Sequence, residues 1–226
     1  ITQLKDRYGR ITIPGFYDHV LNLSPEEREN FATLPFDEKS YSKELSIPAV
    51  WGEFGYNTYE RTWARPTLDV NGIWGGYIGE GAKTVLPSKA HAKISMRLVP
   101  NQSSEHIAKL FERFLKTIAP PTITLKVTHL HGADPSISPR DGKSIQSALQ
   151  ALNEAYGTKP FLTREGGSIP VCLTFQQLLG VSATLMGFGL NTENAHSPDE
   201  HFSLDNLDKG IEATCRYYEL MGEVIE

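Results

Sequence analysis

Several residues of this 226-residue sequence are of types that perform chemistry. His196 lies in a polar loop between an apolar strand end at 183–186 and a helix that Ser203 can cap. Loops of this kind often carry reactive groups on a rigid scaffold. His129 and His131 fall on one side of a predicted strand end, a spacing that can bind zinc. No third ligand lies close to this pair, which favours a plain surface feature, and no second convincing ligand accompanies His196.

Two further candidates could bind anions. Glu165-Gly-Gly-Ser168 precedes a predicted helix, where backbone amides and the Ser168 hydroxyl could hold a carboxylate or an oxyanion. A plain helix cap explains that pattern equally well, and the flanking residues do not form the Gly-x-Ser-x-Gly turn of a nucleophilic serine. Arg97 lies on the polar face of a predicted strand and could bind a carboxylate through two hydrogen bonds. A solvated sheet face is the alternative.

The composition is that of a folded globular protein. Hydrophobic residues make up 39%, aromatic residues 10% and charged residues 22% of the chain, with a net charge of -5. The negative charge does not favour a nucleic-acid partner, and no apolar run approaches the roughly 20 residues of a membrane span. No signal peptide is visible. Cys172 and Cys215 both lie in apolar helical patterns, so we expect buried thiols, a reducing compartment and a cytoplasmic location.

The first part of the chain predicts helices around a short sheet. Ser24 caps a helix that runs to about Leu34, and Asp37 caps a second helix over 38–45. Strict alternation predicts a strand over 88–98, and helical spacing predicts a helix from Ser103 or Ser104 to Ile118. A second alternating strand is expected over 122–130, which gives a compact unit of the split βαβ kind. The aromatic-rich segment 47–81 is expected to be irregular but anchored, and the glycines at 75–81 to serve turns.

The remainder predicts an alternating α/β unit. A linker at 132–139 marks a domain boundary. Helices are expected over 142–156, from a Ser168 cap to Leu179, and after Ser203, with strands at 159–163 and 183–186. Such alternation predicts a mostly parallel sheet. In the last helix the apolar residues at helical spacing are Leu204, Leu207, Ile211, Cys215 and Tyr218.

Five motifs occur in an order that resembles the M20 metallopeptidases, especially the carnosinase-like cytosolic dipeptidases. They are Asp69-Val-Asn-Gly-Ile-Trp-Gly-Gly-Tyr77, Gly81-Ala-Lys-Thr-Val-Leu-Pro87, Met96-Arg-Leu-Val-Pro100 with Gln102, Arg164-Glu-Gly-Gly-Ser-Ile-Pro170 and Asn194-Ala-His-Ser-Pro-Asp-Glu200. The resemblance covers essentially the whole chain.

The resemblance implies an α/β protein of two domains. Residues 1–134 would form a lid and dimerisation domain, incomplete at its N-terminus and of the α+β, split βαβ type. Residues 135–226 would form the C-terminal segment of the α/β catalytic domain of a zinc peptidase. The family's other metal ligands and its general base have no counterpart here, so the sequence is expected to be the second half of an enzyme and inactive by itself.

The resemblance also implies roles for five residues. His196 would be a ligand to one of two zinc ions. Arg97 would bind the C-terminal carboxylate of a short peptide, with Gly167 and Ser168 assisting. Thr84 would reach from the lid into the active site of the partner subunit of a homodimer. The alternatives are an N-acyl amino acid deacylase that uses the same site, or a non-catalytic dimerisation or binding module.

Overall fold

The structure, a computed structural model, describes residues 1–165 and 169–222. Within them the chain forms two compact units. The first comprises Ile1–Ser136 together with Ile169 and Pro170, and the second comprises most of the residues from Ile137 to Gly222. No helix in these described ranges is long and apolar enough to cross a membrane.

Three short helices open the first unit, and side chains cap each of them. Helix α1 spans Pro25–Ala32, because Ser24 and Glu27 form the predicted capping box. Helix α2 spans Glu38–Glu44 with Asp37 as its cap, as predicted. Helix α3 spans Thr58–Trp63 and begins with a second capping box, formed by Asn57 and Glu60.

Ion pairs anchor the irregular segment around α3. The Arg28 guanidinium lies 2.6 Å from the Glu60 carboxylate, which is only 4% exposed. Burial opposes ionisation of Glu60, but the hydrogen bonds from Arg28 and from the Asn57 amide outweigh it and lower its pKa. Arg65 pairs with Glu53 at 2.8 Å and lies 4.3 Å from the centre of the Tyr56 ring. The segment 47–81 is therefore anchored, as predicted, although it also contains α3 and a strand over 69–75 that the sequence did not predict.

A two-stranded antiparallel ribbon follows. Strand β1 spans Asp69–Gly75 and strand β2 spans Ala90–Ser95, with Asp69 opposite Ser95 and Gly75 opposite Ala90. The predicted strand over 88–98 is therefore correct in place but shorter. Helix α4 spans Ser104–Ile118, as predicted. The ribbon and α4 cover a core made of Leu4, Ile11, Ile13, Phe16, Leu68, Ile107 and Leu110, against which Ile94, Met96 and Leu98 pack.

The strand predicted over 122–130 is wrong. These residues have no regular secondary structure, and the sheet among the described residues contains only β1 and β2. The Ile123 amide instead bonds the carbonyl of Pro120, and Ile123 is 55% exposed. Alternation alone does not make a strand, because the backbone also needs a neighbouring strand to accept its hydrogen bonds.

The second unit contains α5 (Lys143–Tyr156), α6 (Pro170–Leu179) and α7 (Leu204–Gly222). Helices α5 and α7 pack together, and their fully buried residues are small: Ala151 and Ala213. Small side chains allow two helix backbones to approach closely. At the rim, Arg216 bonds Glu154 at 2.6 Å.

Two predictions for this unit are wrong. The described residues at 159–163 and 183–186 form no strand, so the expected parallel sheet is absent from them. The large apolar residues that recur at helical spacing in α7 are exposed: Leu204, Leu207, Ile211 and Tyr218. Helix α7 instead buries Gly210, which faces the Phe188 ring, together with Ala213 and Leu220. Cys172 is buried as expected, whereas Cys215 is exposed.

Candidate active site

Arg97 and Thr84 belong to opposite ends of the β1–β2 ribbon. Arg97 follows β2 at the base, where its carbonyl accepts a hydrogen bond from the Thr67 amide at 2.9 Å. Thr84 lies in the connection over 76–89, which begins at the far end. Five residue steps along β2 correspond to about 17 Å, whereas an extended dipeptide spans about 7 Å. The two ends of the ribbon are therefore farther apart along β2 than the length of one dipeptide.

The connection over 76–89 is exposed but locally ordered by one ring. The Tyr77 hydroxyl donates a hydrogen bond to the carbonyl of Glu80 at 2.8 Å. The Lys83 ammonium lies 5.4 Å from the centre of the Tyr77 ring, within the range of a cation–π contact. This ring thus folds the residues just before Thr84 into a defined turn.

Glycines make that turn possible. A Cβ on Gly79 would lie 2.6 Å from the Tyr77 hydroxyl oxygen, and a Cβ on Gly75 would lie 2.9 Å from the carbonyl oxygen of Lys89. Gly75 has a φ of 150°, while Gly76 and Gly81 have φ values of 76° and 83°, which only glycine adopts without cost. The interpretation of these residues as turn glycines is therefore confirmed.

His196 lies in a loop with an unusual backbone. Asn194, His196 and Asp199 have φ values of 53°, 63° and 61°. Such left-handed conformations cost about 1 kcal/mol or more for residues with a side chain, and they cluster at functional sites. The Ser197 amide bonds the carbonyl of Asn194 at 2.9 Å, which closes a turn around the imidazole-bearing residue.

Buried contacts hold both ends of this loop, which we take as residues 187–203. Glu193 is 5% exposed, and its carboxylate accepts hydrogen bonds from the amides of Leu190 at 2.8 Å and Ser203 at 2.7 Å. The Ser203 hydroxyl in turn accepts the Asn206 amide at 3.3 Å, which confirms Ser203 as the cap of α7. The Phe188 ring lies over Gly210 of α7, where a Cβ would meet it at 3.3 Å.

The other candidates are less informative. Gly167 and Ser168, with the predicted cap of α6, lie outside the described residues. His129 and His131 are both exposed. Within 1–165 and 169–222, no three histidine, cysteine or acidic side chains lie close enough together to hold a metal ion. Within these ranges His196 therefore has no neighbouring side chains that would complete a metal centre with it.

Residues 1–133 match the family model of the M20 peptidase dimerisation domain. The chain belongs to the M20 peptidase family. Relatives extend the M20 match beyond residue 133. The Cys-Gly metallodipeptidase dug1 of Schizosaccharomyces pombe is 32% identical over 96% of this chain and 46% of its own length. The human Beta-Ala-His dipeptidase is 27% identical over 98% of this chain and 44% of its own.

A solved M20 structure matches as well. The M20 family metallo-carboxypeptidase Sso-CP2 from Sulfolobus solfataricus superposes with a TM-score of 0.82 at 28% identity, over 96% of this chain and 50% of that one. This match confirms the α/β fold class. The chain spans about half the length of the M20 relatives that it matches.

Sequence reasoning missed two residues that shape these loops in the M20 chain. In the sequence, Glu193 is one polar residue among Asn191, Thr192 and Asn194. An acidic residue three positions before a loop histidine is only a weak indication of a role in holding that loop. Tyr77 reads as an exposed aromatic residue. The only feature of the sequence that indicates the close contact between Tyr77 and Gly79 is that they are two residues apart.

Proposed function

We propose that this chain supplies the dimerisation domain, over 1–134, and a part of the catalytic domain, over 135–226, of a metal-dependent dipeptidase. The substrates would be short peptides with a free C-terminal carboxylate. The observation that carries the proposal is the match to a metallodipeptidase over 96% of this chain, which includes both units. The complete enzyme would be about twice as long as this chain. Two free thiols in the described ranges suit a cytoplasmic location.

Arg97 would bind the carboxylate of the substrate. Its side chain lies on the exposed face of the ribbon, and a guanidinium forms two parallel, charge-assisted hydrogen bonds with a carboxylate. A fixed carboxylate orients the neighbouring peptide bond for attack. Gly167 and Ser168 would assist with backbone amides and a hydroxyl.

His196 would be one ligand to one of two zinc ions. An imidazole on a rigid loop suits this role, and a bound zinc ion would polarise the peptide carbonyl and activate water. Because the described residues bring no three ligands together, we expect this chain alone to hold no catalytic zinc and to show no peptidase activity. The remaining ligands and the general base would come from other parts of the complete enzyme.

Thr84 would serve the active site of a second subunit. The positions of Thr84 and Arg97 toward opposite ends of the β1–β2 ribbon support this role. The match to a peptidase dimerisation domain supports a homodimer. In light scattering the chain should show a mass of about twice 25.1 kDa. A monomer at micromolar concentration would count against a dimer formed through 1–134.

The substrate role is tested with Arg97→Ala in the complete enzyme. We expect KM for dipeptides with a free carboxylate to rise about 10- to 100-fold, the worth of hydrogen bonds to a charged group. KM for C-terminally amidated dipeptides should change little. Lys93→Ala is the matched control, because it removes a cation from the same face of β2. An Arg97→Ala effect no larger than that of Lys93→Ala would remove Arg97 from carboxylate binding.

A panel of N-acyl amino acids compared with dipeptides separates the deacylase alternative from the peptidase. Activity confined to N-acyl amino acids would overturn the dipeptidase proposal. Absence of both activities and of metal in the complete protein would instead leave a dimerisation module.

A further inference from the structure

Glu193 is a buried carboxylate to which the proposed reaction gives no role. Its oxygens are occupied by two backbone amides, those of Leu190 and Ser203, which bracket His196 on either side. Its own backbone adds two more bonds: the Glu193 amide donates to the Leu190 carbonyl at 3.1 Å, and the Glu193 carbonyl accepts from the His201 amide at 3.1 Å. One residue thus ties together the start, the middle and the end of the loop.

These contacts connect the loop to a rigid element. Ser203 caps α7, so the carboxylate of Glu193 is bonded to the first backbone group before that helix. Helix α7 packs along α5. The loop is therefore anchored to the helical part of its unit.

The bonds also explain how the left-handed residues persist. Asn194, His196 and Asp199 all lie between the two amides that Glu193 holds. A conformation that is unfavourable for residues with side chains persists only where surrounding contacts impose it. Without the carboxylate, the loop would relax toward ordinary backbone conformations, and the backbone of His196 would lose the conformation from which its imidazole projects.

We propose that Glu193 is a positioning residue for His196, holding the loop over 187–203 in the conformation that presents the imidazole. The inference rests on the proposed role of His196 as a metal ligand. Glu193 itself does not touch the metal or the substrate. Partners that orient a ligand typically change metal affinity about 10- to 100-fold when they are removed.

The first test measures amide hydrogen exchange in this chain, with Glu193→Gln, Glu193→Ala and Glu200→Gln. Glutamine retains one acceptor oxygen, so we expect exchange of one of the two amides, Leu190 or Ser203, to accelerate about tenfold while the other stays protected. Alanine should accelerate both. Glu200→Gln makes the same chemical change at an exposed residue of the same loop and should accelerate neither. Unchanged exchange at both amides in Glu193→Ala overturns the proposal.

The second test measures zinc affinity of the complete enzyme by competition with a chelator. We expect Glu193→Gln to weaken the binding of one zinc about tenfold and Glu200→Gln to leave it unchanged. Accelerated exchange with unchanged zinc affinity would overturn the positioning role, since Glu193 would then be structural only. Full zinc affinity in His196→Ala would overturn the ligand role of His196 itself. The exchange experiment does not involve metal, so its result distinguishes this failure from a failure of the role of Glu193.

Discussion

The two loops that carry Thr84 and His196 are held in different ways. The connection over 76–89 leaves the exposed β1–β2 ribbon, and one neutral hydrogen bond and one cation–π contact of Tyr77 order it. The loop over 187–203 is fixed by a buried carboxylate with two backbone amides as donors. Hydrogen bonds to a charged acceptor are stronger than neutral ones, and leaving their partners unpaired in a buried site costs more. The His196 loop should therefore be the more rigid of the two.

Glu193→Ala should produce the largest effect. It leaves two partly buried amides without acceptors, so the free energy of unfolding of the second unit should fall by about 2 to 4 kcal/mol. Urea unfolding followed by circular dichroism would measure this. All three tryptophans lie between residues 51 and 74, so their fluorescence reports the first unit and should not shift. Equal shifts in both signals would mean that Glu193 acts on the chain as a whole.

Gly75→Ala should produce the next largest effect, at the ribbon end of the other loop. The new Cβ would lie 2.9 Å from the Lys89 carbonyl oxygen and 3.0 Å from the Ala90 Cα, at a φ of 150°. We expect a loss of about 2 kcal/mol, seen in the urea midpoint of tryptophan fluorescence through Trp74. Gly72→Ala is the matched control, since its nearest neighbours lie 3.9 Å and 4.0 Å away. If Gly72→Ala lowered the stability as much as Gly75→Ala, the loss would come from replacing any glycine of β1, and not from the close contact of residue 75 with Lys89 and Ala90.

The same contrast explains which elements the sequence could predict. Helices α1, α2 and α4 follow from caps and helical spacing, which are local. The strands at 122–130, 159–163 and 183–186 do not form in the structure, because a strand depends on a distant partner that alternation does not identify. The exposed face of α7 has a similar cause: spacing shows where Leu204 and Ile211 point, while packing against α5 decides which side is buried.

The candidate residues divide in the same way. Residue type and local pattern selected Arg97 and His196, the motif resemblance added Thr84, and the structure describes where each lies. The residues that hold the loops, Glu193 and Tyr77, depend on contacts with backbone groups up to ten positions away. A sequence shows that an acid or a ring is present, but not which amides or carbonyls the fold brings to it.

The contribution of the Glu60 carboxylate to the stability of the first unit can be measured through its pH dependence. The pKa of Glu60 is lowered in the folded state, so its stabilising effect is present above the unfolded pKa of about 4.5 and is lost as pH falls through the folded pKa. Between pH 6 and pH 3, the tryptophan-reported stability of the first unit should fall by about 1 kcal/mol more in the parent chain than in Glu60→Gln. The same pH dependence in both proteins would mean that the Arg28–Glu60 pair contributes nothing to stability.

The smallest effect is expected from Tyr77→Phe, which removes the hydroxyl bond to the Glu80 carbonyl and keeps the ring beneath Lys83. A neutral hydrogen bond at an exposed site contributes about 0.5 to 1 kcal/mol, so local opening should become about two- to fivefold more frequent. Trypsin cleaves after Lys83, directly before Thr84, and the initial rate at that bond would measure the opening. Cleavage after Lys89, at the other end of the connection, is the internal control and should keep its rate. Faster cleavage at both bonds would locate the effect in the ribbon. An unchanged rate after Lys83 would show that the contact between the Tyr77 ring and Lys83, rather than the hydroxyl, orders the residues before Thr84.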